Sequence, residues 1–249
     1  MNWLKKIFST EKSYPPADLG GTLKVDLHSH LIPGIDDGAK DMEDSIAMVR
    51  RFADLGYQKL ITTPHVMSDF YKNTPEIILG GLEELKANLP KHGIKMEIEA
   101  AAEYYLDEHL QEKIKNNQLL TFGDNYLLFE LPFIAEPPNL ASIIFELQTN
   151  GYKPILAHPE RYGFWYNDFN QYRQLKDKGV HLQLNLLSLI GHYSPETQKI
   201  AERLIDEELI SFLGSDCHNQ MHQELFELAS TKEHLHRLIE SGNLLNSEL

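Results

Sequence analysis

The 249-residue sequence contains a single cysteine, Cys217, and no uninterrupted apolar run long enough to cross a membrane. One cysteine cannot form an internal disulfide bond, which excludes a disulfide-stabilised secreted scaffold. A bilayer-spanning helix needs about 20 predominantly apolar residues. The N-terminal segment is interrupted by Lys5 and Lys6 before the core of a secretory signal forms. We therefore expect a cytoplasmic protein.

Basic residues are also scarce, because 23 Lys and Arg stand against 37 Asp and Glu, for a formal net charge of −14. A charge of this sign opposes binding to the phosphate backbone of nucleic acids, so no nucleic-acid partner is expected. Carboxylates that bind divalent metal ions count as negative in such a sum and are neutralised by the bound ions. Part of the acidity is therefore a candidate for metal binding.

Residues 1–21 differ in composition from the rest of the chain. A short basic and apolar patch, 3–8, precedes a turn-forming stretch, 13–21. We predict a flexible tail and linker here, and a single domain over residues 22–249. Weak contact of the tail with a membrane surface, or docking of a partner, stays open as an alternative to simple disorder.

From Thr22 onward, apolar or β-branched runs alternate with helical patterns. The predicted strands are Leu23–Leu27, Lys59–Thr63, Lys95–Ala102, Asn125–Leu131, Pro154–Ala157, Val180–Leu186 and Ile210–Gly214. Helix starts are indicated at Asp41, Thr74-Pro75 and Ser194-Pro195, and glycines suited to helix ends stand at Gly56 and Gly179. This alternation predicts mainly parallel strands.

Six of the seven predicted strands carry His, Asp or Glu at their C-terminal end. The strand-end residues of this kind are His28, His30, His65, Glu103, Glu130, His158, Asp216 and His218. In an open sheet they would be spread along one edge, whereas in a closed barrel they converge on one mouth, where barrel enzymes hold their active sites. We therefore predict an α/β fold in the form of an irregular, seven-stranded (β/α) barrel of TIM-like type.

His28 and His30 are two residues apart in an extended segment, which directs both imidazoles to the same face. Alone, such a pair is weak evidence for a metal site, but ligands at the other strand ends strengthen it. Imidazole and carboxylate ligands without thiolate suit Mn²⁺, Fe²⁺ or Zn²⁺, and their number exceeds what one ion uses. A cluster of two or three ions indicates phosphoester hydrolysis.

The motifs resemble the polymerase and histidinol phosphatase (PHP) superfamily of metallohydrolases, and within it the bacterial tyrosine phosphatases of capsule and exopolysaccharide loci. The resemblance extends from Val25 to the C-terminus. It rests on Asp26-Leu27-His28-Ser29-His30, Asp36-Asp37-Gly38, Thr63-Pro64-His65, Ala102-Glu103-Tyr104-Tyr105, Phe129-Glu130, Ala157-His158-Pro159-Glu160-Arg161-Tyr162 and Ser215-Asp216-Cys217-His218. These motifs in this order are specific to the family and imply the PHP fold.

The resemblance implies three metal ions, manganese foremost, with Fe²⁺ or Zn²⁺ as alternatives. It implies that His28, His30, Glu103 and Asp216 hold one ion, that Glu103, Glu130 and His158 hold a second, and that Asp37, His65 and His218 hold a third. Asp37 is preferred to Asp36 because the matching ligand of the family directly precedes a glycine, here Gly38.

Arg161 matches the phosphate-binding arginine of the family. A guanidinium can bind two phosphoryl oxygens at once and stabilise the charge on them. The alternative is an arginine that only forms a structural salt bridge. Asn185 also matches an asparagine of the family, and a position at the mouth and an ordinary position in the barrel stay equally open for it.

The function that the resemblance implies is that of a metal-dependent protein-tyrosine phosphatase, in which a metal-activated hydroxide attacks phosphorus directly. The implied substrate is the phosphorylated tail of a bacterial tyrosine kinase that regulates capsular or exopolysaccharide synthesis. Two alternatives remain: a small-molecule phosphatase of the histidinol-phosphatase type, and a catalytically weak regulatory protein that binds a kinase or membrane complex.

Other phosphatase and nucleotide-binding motifs are missing. A cysteine-dependent phosphatase needs Cys-x5-Arg, but Gln223 stands six positions after Cys217. No Gly-x-Ser-x-Gly, Walker A or Gly-x-Gly-x-x-Gly motif occurs. The histidines outside the matching motifs are assigned structural or surface positions: His92, His109, His181, His192, His222, His234 and His236.

Overall fold

The structure is a computed structural model that describes residues 14–249. Within that range it has nine strands: β1 (Val25–Asp26), β2 (Lys59–Thr62), β3 (His65–Val66), β4 (Glu97–Ala100), β5 (Glu103–Tyr105), β6 (Tyr126–Glu130), β7 (Lys153–Ala157), β8 (His181–Asn185) and β9 (Phe212–Gly214). Each of the seven predicted runs overlaps one of these strands. The structure adds β3 and β5, which the sequence patterns did not predict.

Ten α-helices lie before, between and after the strands of the described range. They are α1 (Leu19–Leu23), α2 (Met42–Asp54), α3 (Pro75–Asn88), α4 (Leu110–Lys115), α5 (Leu140–Thr149), α6 (Asn170–Asp177), α7 (Pro195–Asp206), α8 (Gln220–Glu224), α9 (Phe226–Ser230) and α10 (Glu233–Glu240). None of them is long and apolar enough to cross a membrane. The three predicted helix starts are confirmed, because the side chains of Asp41, Thr74 and Ser194 each accept a hydrogen bond from the backbone amide three residues on.

The strands form two parallel sheets, one of order β1-β2-β4 and one of order β3-β5-β6-β7-β8-β9. The predicted α/β fold with parallel strands is confirmed, but the predicted single sheet of seven strands is divided here. The division falls after β2 and after β4, where Thr63-Pro64 and Ala101-Ala102 interrupt the ladder. Pro64 has no amide hydrogen to donate to a neighbouring strand, which explains the first interruption.

Backbone hydrogen bonds connect the two sheets at the ends that hold the predicted ligands. The His30 amide donates to the Cys217 carbonyl at 2.9 Å, and the Asp216 amide donates to the His28 carbonyl at 2.8 Å. The Thr63 amide donates to the Ser29 carbonyl at 2.7 Å. The segments that follow β1 and β9 are therefore fixed side by side, and their side chains meet.

The predicted tail and linker lies partly outside the described residues, which begin at Tyr14. Residues 14–21 are packed on the domain. The Tyr14 amide donates to the Thr231 carbonyl at 3.1 Å, and Asp18 caps α1 by accepting from the Gly21 amide. Leu19 and Leu23, one helical turn apart, are buried. Leu23 thus belongs to a helix, and not to the predicted first strand.

The packing of α1 depends on a close approach of two backbones. A Cβ atom on Gly20 would lie 2.2 Å from the backbone of Leu55 and Gly56, whereas a Cβ on Gly80 in α3 would meet nothing within 4 Å. We predict that Gly20→Ala lowers the free energy of unfolding by about 1–3 kcal/mol through overpacking. The matched control Gly80→Ala should raise it by up to about 1 kcal/mol, because alanine favours the helix. Urea denaturation at one fixed metal concentration measures both, and equal midpoints would contradict the described docking of α1.

Candidate active site and metal centre

The side chains of all nine predicted ligands face one region at the carboxyl ends of the strands. His28 and His30 follow β1, and Asp37 lies in the loop before α2. The others lie at or just after strands β3, β5, β6, β7 and β9: His65, Glu103, Glu130, His158, Asp216 and His218. Short parallel strands that all end at this level bring residues from across the chain together.

Glu103 is fully buried at the centre of this region. Its Oε2 atom lies 3.2 Å from His28 Nε2 and 3.1 Å from His65 Nδ1. Its Oε1 atom lies 2.9 Å from His158 Nε2. Glu130 adds a second carboxylate beside His65, because its Oε1 atom is 3.2 Å from His65 Nδ1. One carboxylate thus faces imidazoles from three different strand ends.

Asp216 is another buried carboxylate of the cluster. Its Oδ1 atom lies 3.4 Å from His28 Nε2, 3.5 Å from His30 Nε2 and 3.4 Å from His218 Nδ1. Its Oδ2 atom instead accepts hydrogen bonds from Asn185 Nδ2 at 2.6 Å and from Arg161 Nη1 at 3.2 Å. The two oxygens of Asp216 therefore serve two different sets of neighbours.

Three groups of donor atoms within the described residues are close enough to hold metal ions. They are His30, Asp37, His65 and His218; His28, His30 and Asp216; and His65, Glu103 and Glu130. The groups share His30 and His65, and His158 lies beside the third group, 2.9 Å from Glu103 and 3.8 Å from Glu130. The groups differ from the implied ligand sets, because His65 stands with Glu103 and Glu130, and His30 also stands with the third implied set.

The unpaired atoms of the cluster fit divalent cations. His28 Nε2, His30 Nε2 and Glu103 Oε2 are buried and make no hydrogen bond within the described part of the chain. Glu103 Oε2 lies 3.2 Å from His28 Nε2 and 3.6 Å from His30 Nε2. Ligands bound at about 2.1 Å to one tetrahedral or octahedral ion stand about 3.0–3.5 Å apart. The spacing and the donor types both suit such an ion.

The electrostatics of the cluster favour a cation. Burial acts to raise the pKa of Glu103, but His28 and His65 hold it well below its ordinary value. Burial acts to lower the pKa of His65, but Glu103 and Glu130 raise it to about 12. Glu103 thus stays ionised and needs compensating positive charge, from protons on the imidazoles or from metal ions that displace those protons.

Gln183 fixes the orientation of His28, a role that the sequence patterns did not predict. Gln183 Nε2 donates to the Leu184 carbonyl at 2.7 Å and to Asn185 Oδ1 at 2.9 Å. Gln183 Oε1 must then accept the hydrogen of His28 Nδ1, which lies 2.7 Å away. The Nε2 atom of His28 is thereby directed at the carboxylates, and such a partner commonly sets the tautomer of a ligating histidine.

Asp36 fixes the orientation of His30 in the same way. Its Oδ2 atom lies 2.8 Å from His30 Nδ1 and accepts the His65 amide at 3.1 Å, while Oδ1 accepts the Gly38 amide at 2.9 Å. Asp37 points the other way, and its Oδ1 atom lies 3.5 Å from His65 Nε2. The structure thus places Asp37 in the cluster and Asp36 behind it.

Two of the ligand candidates have a left-handed backbone. His158 has φ of 35° and Asp216 has φ of 49°. A side chain in this region costs about 1–3 kcal/mol and is concentrated at functional sites. Hydrogen bonds hold both residues there, from the Arg161 amide to the His158 carbonyl and from the Asp216 amide to the His28 carbonyl. The turn at each strand end directs the side chain inward.

Arg161 lies at the wall of a cleft of about 490 Å³ that opens onto the cluster. Its guanidinium is placed between two aromatic rings, 4.8 Å from the centroid of Phe133 and 4.2 Å from that of Tyr193. The Arg161 side chain is 25% exposed. Asn185 donates a hydrogen bond to Asp216 Oδ2 and therefore lies at the cluster. Of the two positions left open for it, this is the one at the mouth.

Several other residues of the cleft were not assigned to it from the sequence. The cleft is also lined by Met67, Tyr71, Tyr105, Phe133, Tyr193, Asn219 and His222. His222 was assigned a structural or surface position, and its Nδ1 atom lies 3.3 Å from the Asp216 carbonyl. His222 lies on α8, four positions after His218, which precedes that helix, and this spacing is the signal that could have found it.

A model of the family CpsB/CapC, of capsular polysaccharide synthesis, matches residues 24–242. The match covers most of the chain and includes every residue of the cluster. The chain belongs to the CpsB/CapC family. This agrees with the resemblance drawn from the motifs, which extends over the same part of the sequence.

Curated relatives of this CpsB/CapC chain are named as tyrosine phosphatases. Tyrosine-protein phosphatase YwqE of Bacillus subtilis is 33% identical over 196 residues, which cover 78% of this chain and 77% of YwqE. Tyrosine-protein phosphatase CpsB of Streptococcus agalactiae serotype V is 24% identical over 201 residues, 78% of this chain and 83% of CpsB.

Solved structures show the same relationship. A structure from the crystallographic description of YwqE from Bacillus subtilis and CpsB from Streptococcus pneumoniae as metal-dependent tyrosine phosphatases has a TM-score of 0.78 and 30% identity, covering 88% of this chain and 87% of that one. The lactonase Lmo2620 of Listeria monocytogenes has a TM-score of 0.53 at 13% identity, with coverage of 88% and 87%, and shares the fold.

The contact between Asp36 and His30 generates a prediction about metal affinity. We expect Asp36→Asn to weaken metal binding by about 10- to 100-fold, because the residues that orient ligating histidines typically contribute that much. Titration of the chelated protein with Mn²⁺ measures the affinity. Asp54→Asn, which makes the same charge change at an exposed position at the end of α2, is the control. Equal affinity in both variants would show that Asp36 does not support the ligand.

Proposed function

We propose that the protein is a metal-dependent protein-tyrosine phosphatase that acts on a phosphotyrosine protein. The observation that supports this most is the meeting of three donor groups and one arginine in a single cleft. The named activity of YwqE and CpsB points to the same reaction. The family description supports a substrate in capsular or exopolysaccharide synthesis, and we propose the tail of a bacterial tyrosine kinase.

We further propose that the cluster holds three ions, with manganese the native metal and Fe²⁺ or Zn²⁺ as substitutes. His28, His30, Glu103 and Asp216 would hold one ion. Glu103, Glu130 and His158 would hold a second, and Asp37, His65 and His218 a third. In this proposal the two sheets form one seven-stranded barrel, with β2 and β3 as one interrupted strand and β4 and β5 as another.

When bound, the ions lower the pKa of a water so that it can attack phosphorus at neutral pH, and they offset phosphoryl charge. Arg161 binds two phosphoryl oxygens with the N–H groups that do not face Asp216. A phenol leaves readily because its pKa is about 10. Cys217 takes no part, since it is buried, and burial raises the pKa of its thiol well above the ordinary value. The reaction therefore forms no cysteinyl phosphoenzyme.

The substrate class is tested by phosphate release from chelated protein with and without added Mn²⁺. We expect metal-restored cleavage that favours a phosphotyrosine peptide over a phosphoserine peptide and over histidinol phosphate. His28→Ala should lose both bound metal and activity, because it removes a ligand. His92→Ala, at an exposed position, is the matched control. Preference for histidinol phosphate would replace the proposed substrate, and full activity of His28→Ala would refute the proposed site.

A second prediction separates the role of Arg161 from that of the ligands. We expect Arg161→Ala to keep its metal content and to lower turnover by about 100- to 1,000-fold, the cost of removing one donor to developing charge. Metal content is measured by elemental analysis beside kcat on a phosphotyrosine peptide. Arg51→Ala, an exposed arginine in α2, should behave as the parent protein does. Loss of metal from Arg161→Ala would mean that the arginine only supports Asp216.

A further inference from the structure

The loop that follows β6 places two large apolar side chains at the mouth of the cleft. Phe133 is 44% exposed and lines the cleft, and the neighbouring Ile134 is 95% exposed. An exposed large apolar side chain at the edge of a binding cleft commonly marks a contact with a ligand or partner. The metal cluster and Arg161 leave both residues without a role.

The loop is fixed at both ends. At its start, the Leu131 amide donates to Tyr162 Oη at 2.9 Å, and that hydroxyl donates to the Ala157 carbonyl at 3.1 Å. At its far end, Trp165 Nε1 donates to Glu136 Oε2 at 2.8 Å. Phe133 and Ile134 are therefore presented to the cleft by a supported loop.

Phe133 itself is held by its ring contacts and yet keeps exposed area. It stacks on His158 at 5.8 Å between ring centroids, with an interplanar angle of 23°, and lies 5.6 Å from Tyr162. The Arg161 guanidinium lies 4.8 Å from its centroid. The exposed remainder of the ring borders the cleft.

We propose that the Phe133 side chain contacts the phenyl ring of phosphotyrosine and that Ile134 contacts the peptide beside it. This inference rests on the proposed function. With Arg161 on the phosphoryl oxygens, an ester-linked phenyl ring lies within a few ångströms of the guanidinium, and Phe133 is already at that distance. Aromatic rings pair favourably at centroid separations of about 4.5–7 Å. Phe133 is thus a specificity-determining residue for an aromatic leaving group.

Phe133 could instead act only by covering Arg161. Tyr193 already covers that guanidinium from 4.2 Å, and its hydroxyl is held by Asp216 Oδ2 at 3.2 Å and Asn185 Nδ2 at 3.1 Å. If Phe133 only covered Arg161, its loss would weaken the binding of every phosphoryl ligand alike. If Phe133 contacts the ligand's ring, its loss would weaken the binding of aromatic ligands only, so the two roles are separable.

The first test measures binding of benzylphosphonate and methylphosphonate to the manganese-loaded protein by calorimetry. Phe133→Ala should lower the affinity for benzylphosphonate by about 3- to 10-fold more than the affinity for methylphosphonate, which is the size of one aromatic contact. Phe133→Tyr should keep the difference, and Phe133→Leu, a less disruptive change, should lose most of it. Equal weakening of both ligands, or no preference for benzylphosphonate in the parent protein, would overturn the proposal.

The second test addresses Ile134, which lies outside the catalytic machinery. Ile134→Ser should lower kcat/KM for a phosphotyrosine peptide by about 3-fold or more through lost apolar contact, and should leave that for p-nitrophenyl phosphate unchanged. Leu79→Ser, an exposed leucine in α3, is the control. An unchanged kcat/KM for the peptide would remove Ile134 from the recognition surface.

The two proposals fail in different ways. If the parent protein does not cleave phosphotyrosine peptides, the proposed function is wrong. If it cleaves them and the variants at Phe133 and Ile134 keep the parent's preferences for aryl and peptide ligands, only the recognition role of this loop is wrong.

Discussion

The central constraint on this structure is the burial of Glu103 among imidazoles. An ionised carboxylate loses its hydration when it is buried, and it is stable there only beside compensating positive charge. Glu103 is fully buried and faces His28, His65 and His158 at 2.9 to 3.2 Å. The ends of several strands are therefore held together by their contacts with the Glu103 carboxylate. Cations bound at this point would stabilise the fold as well as the site.

The same constraint explains the strained backbone at two strand ends. His158 directly follows β7, and Asp216 lies two positions after the end of β9. The left-handed turns at His158 and Asp216 redirect these side chains into the cluster. Their cost is offset by amide hydrogen bonds from Arg161 and Asp216, so the position of the arginine and that of the ligands are set together.

The sequence predicted the parts of the fold that depend on local patterns. Strand periodicity, the caps at Asp41, Thr74 and Ser194, and the ligand types at strand ends are visible within a few residues. The contact of His28 with Gln183 spans 155 positions and leaves no local pattern. The local pattern does not predict α1 either, because the burial of this helix depends on backbone contact with Gly56.

The two aromatic side chains beside Arg161 could not be predicted from local patterns either. Phe133 and Tyr193 lie 60 positions apart, and each belongs to an ordinary loop when it is considered alone. Only the position of the Arg161 guanidinium between their rings, at 4.8 Å and 4.2 Å, shows that they act as a pair. A residue that acts by packing on a functional group can be assigned only after that group has been placed.

Asp216 connects metal binding with phosphate recognition. Its Oδ1 atom faces His28, His30 and His218, while its Oδ2 atom accepts from Arg161. Of the five N–H donors of a guanidinium, this contact uses one. In the proposed function, a cation held at Oδ1 would leave Oδ2 with the arginine, and the other N–H groups would be available to phosphoryl oxygens. One carboxylate would then position both the metal ion and the arginine.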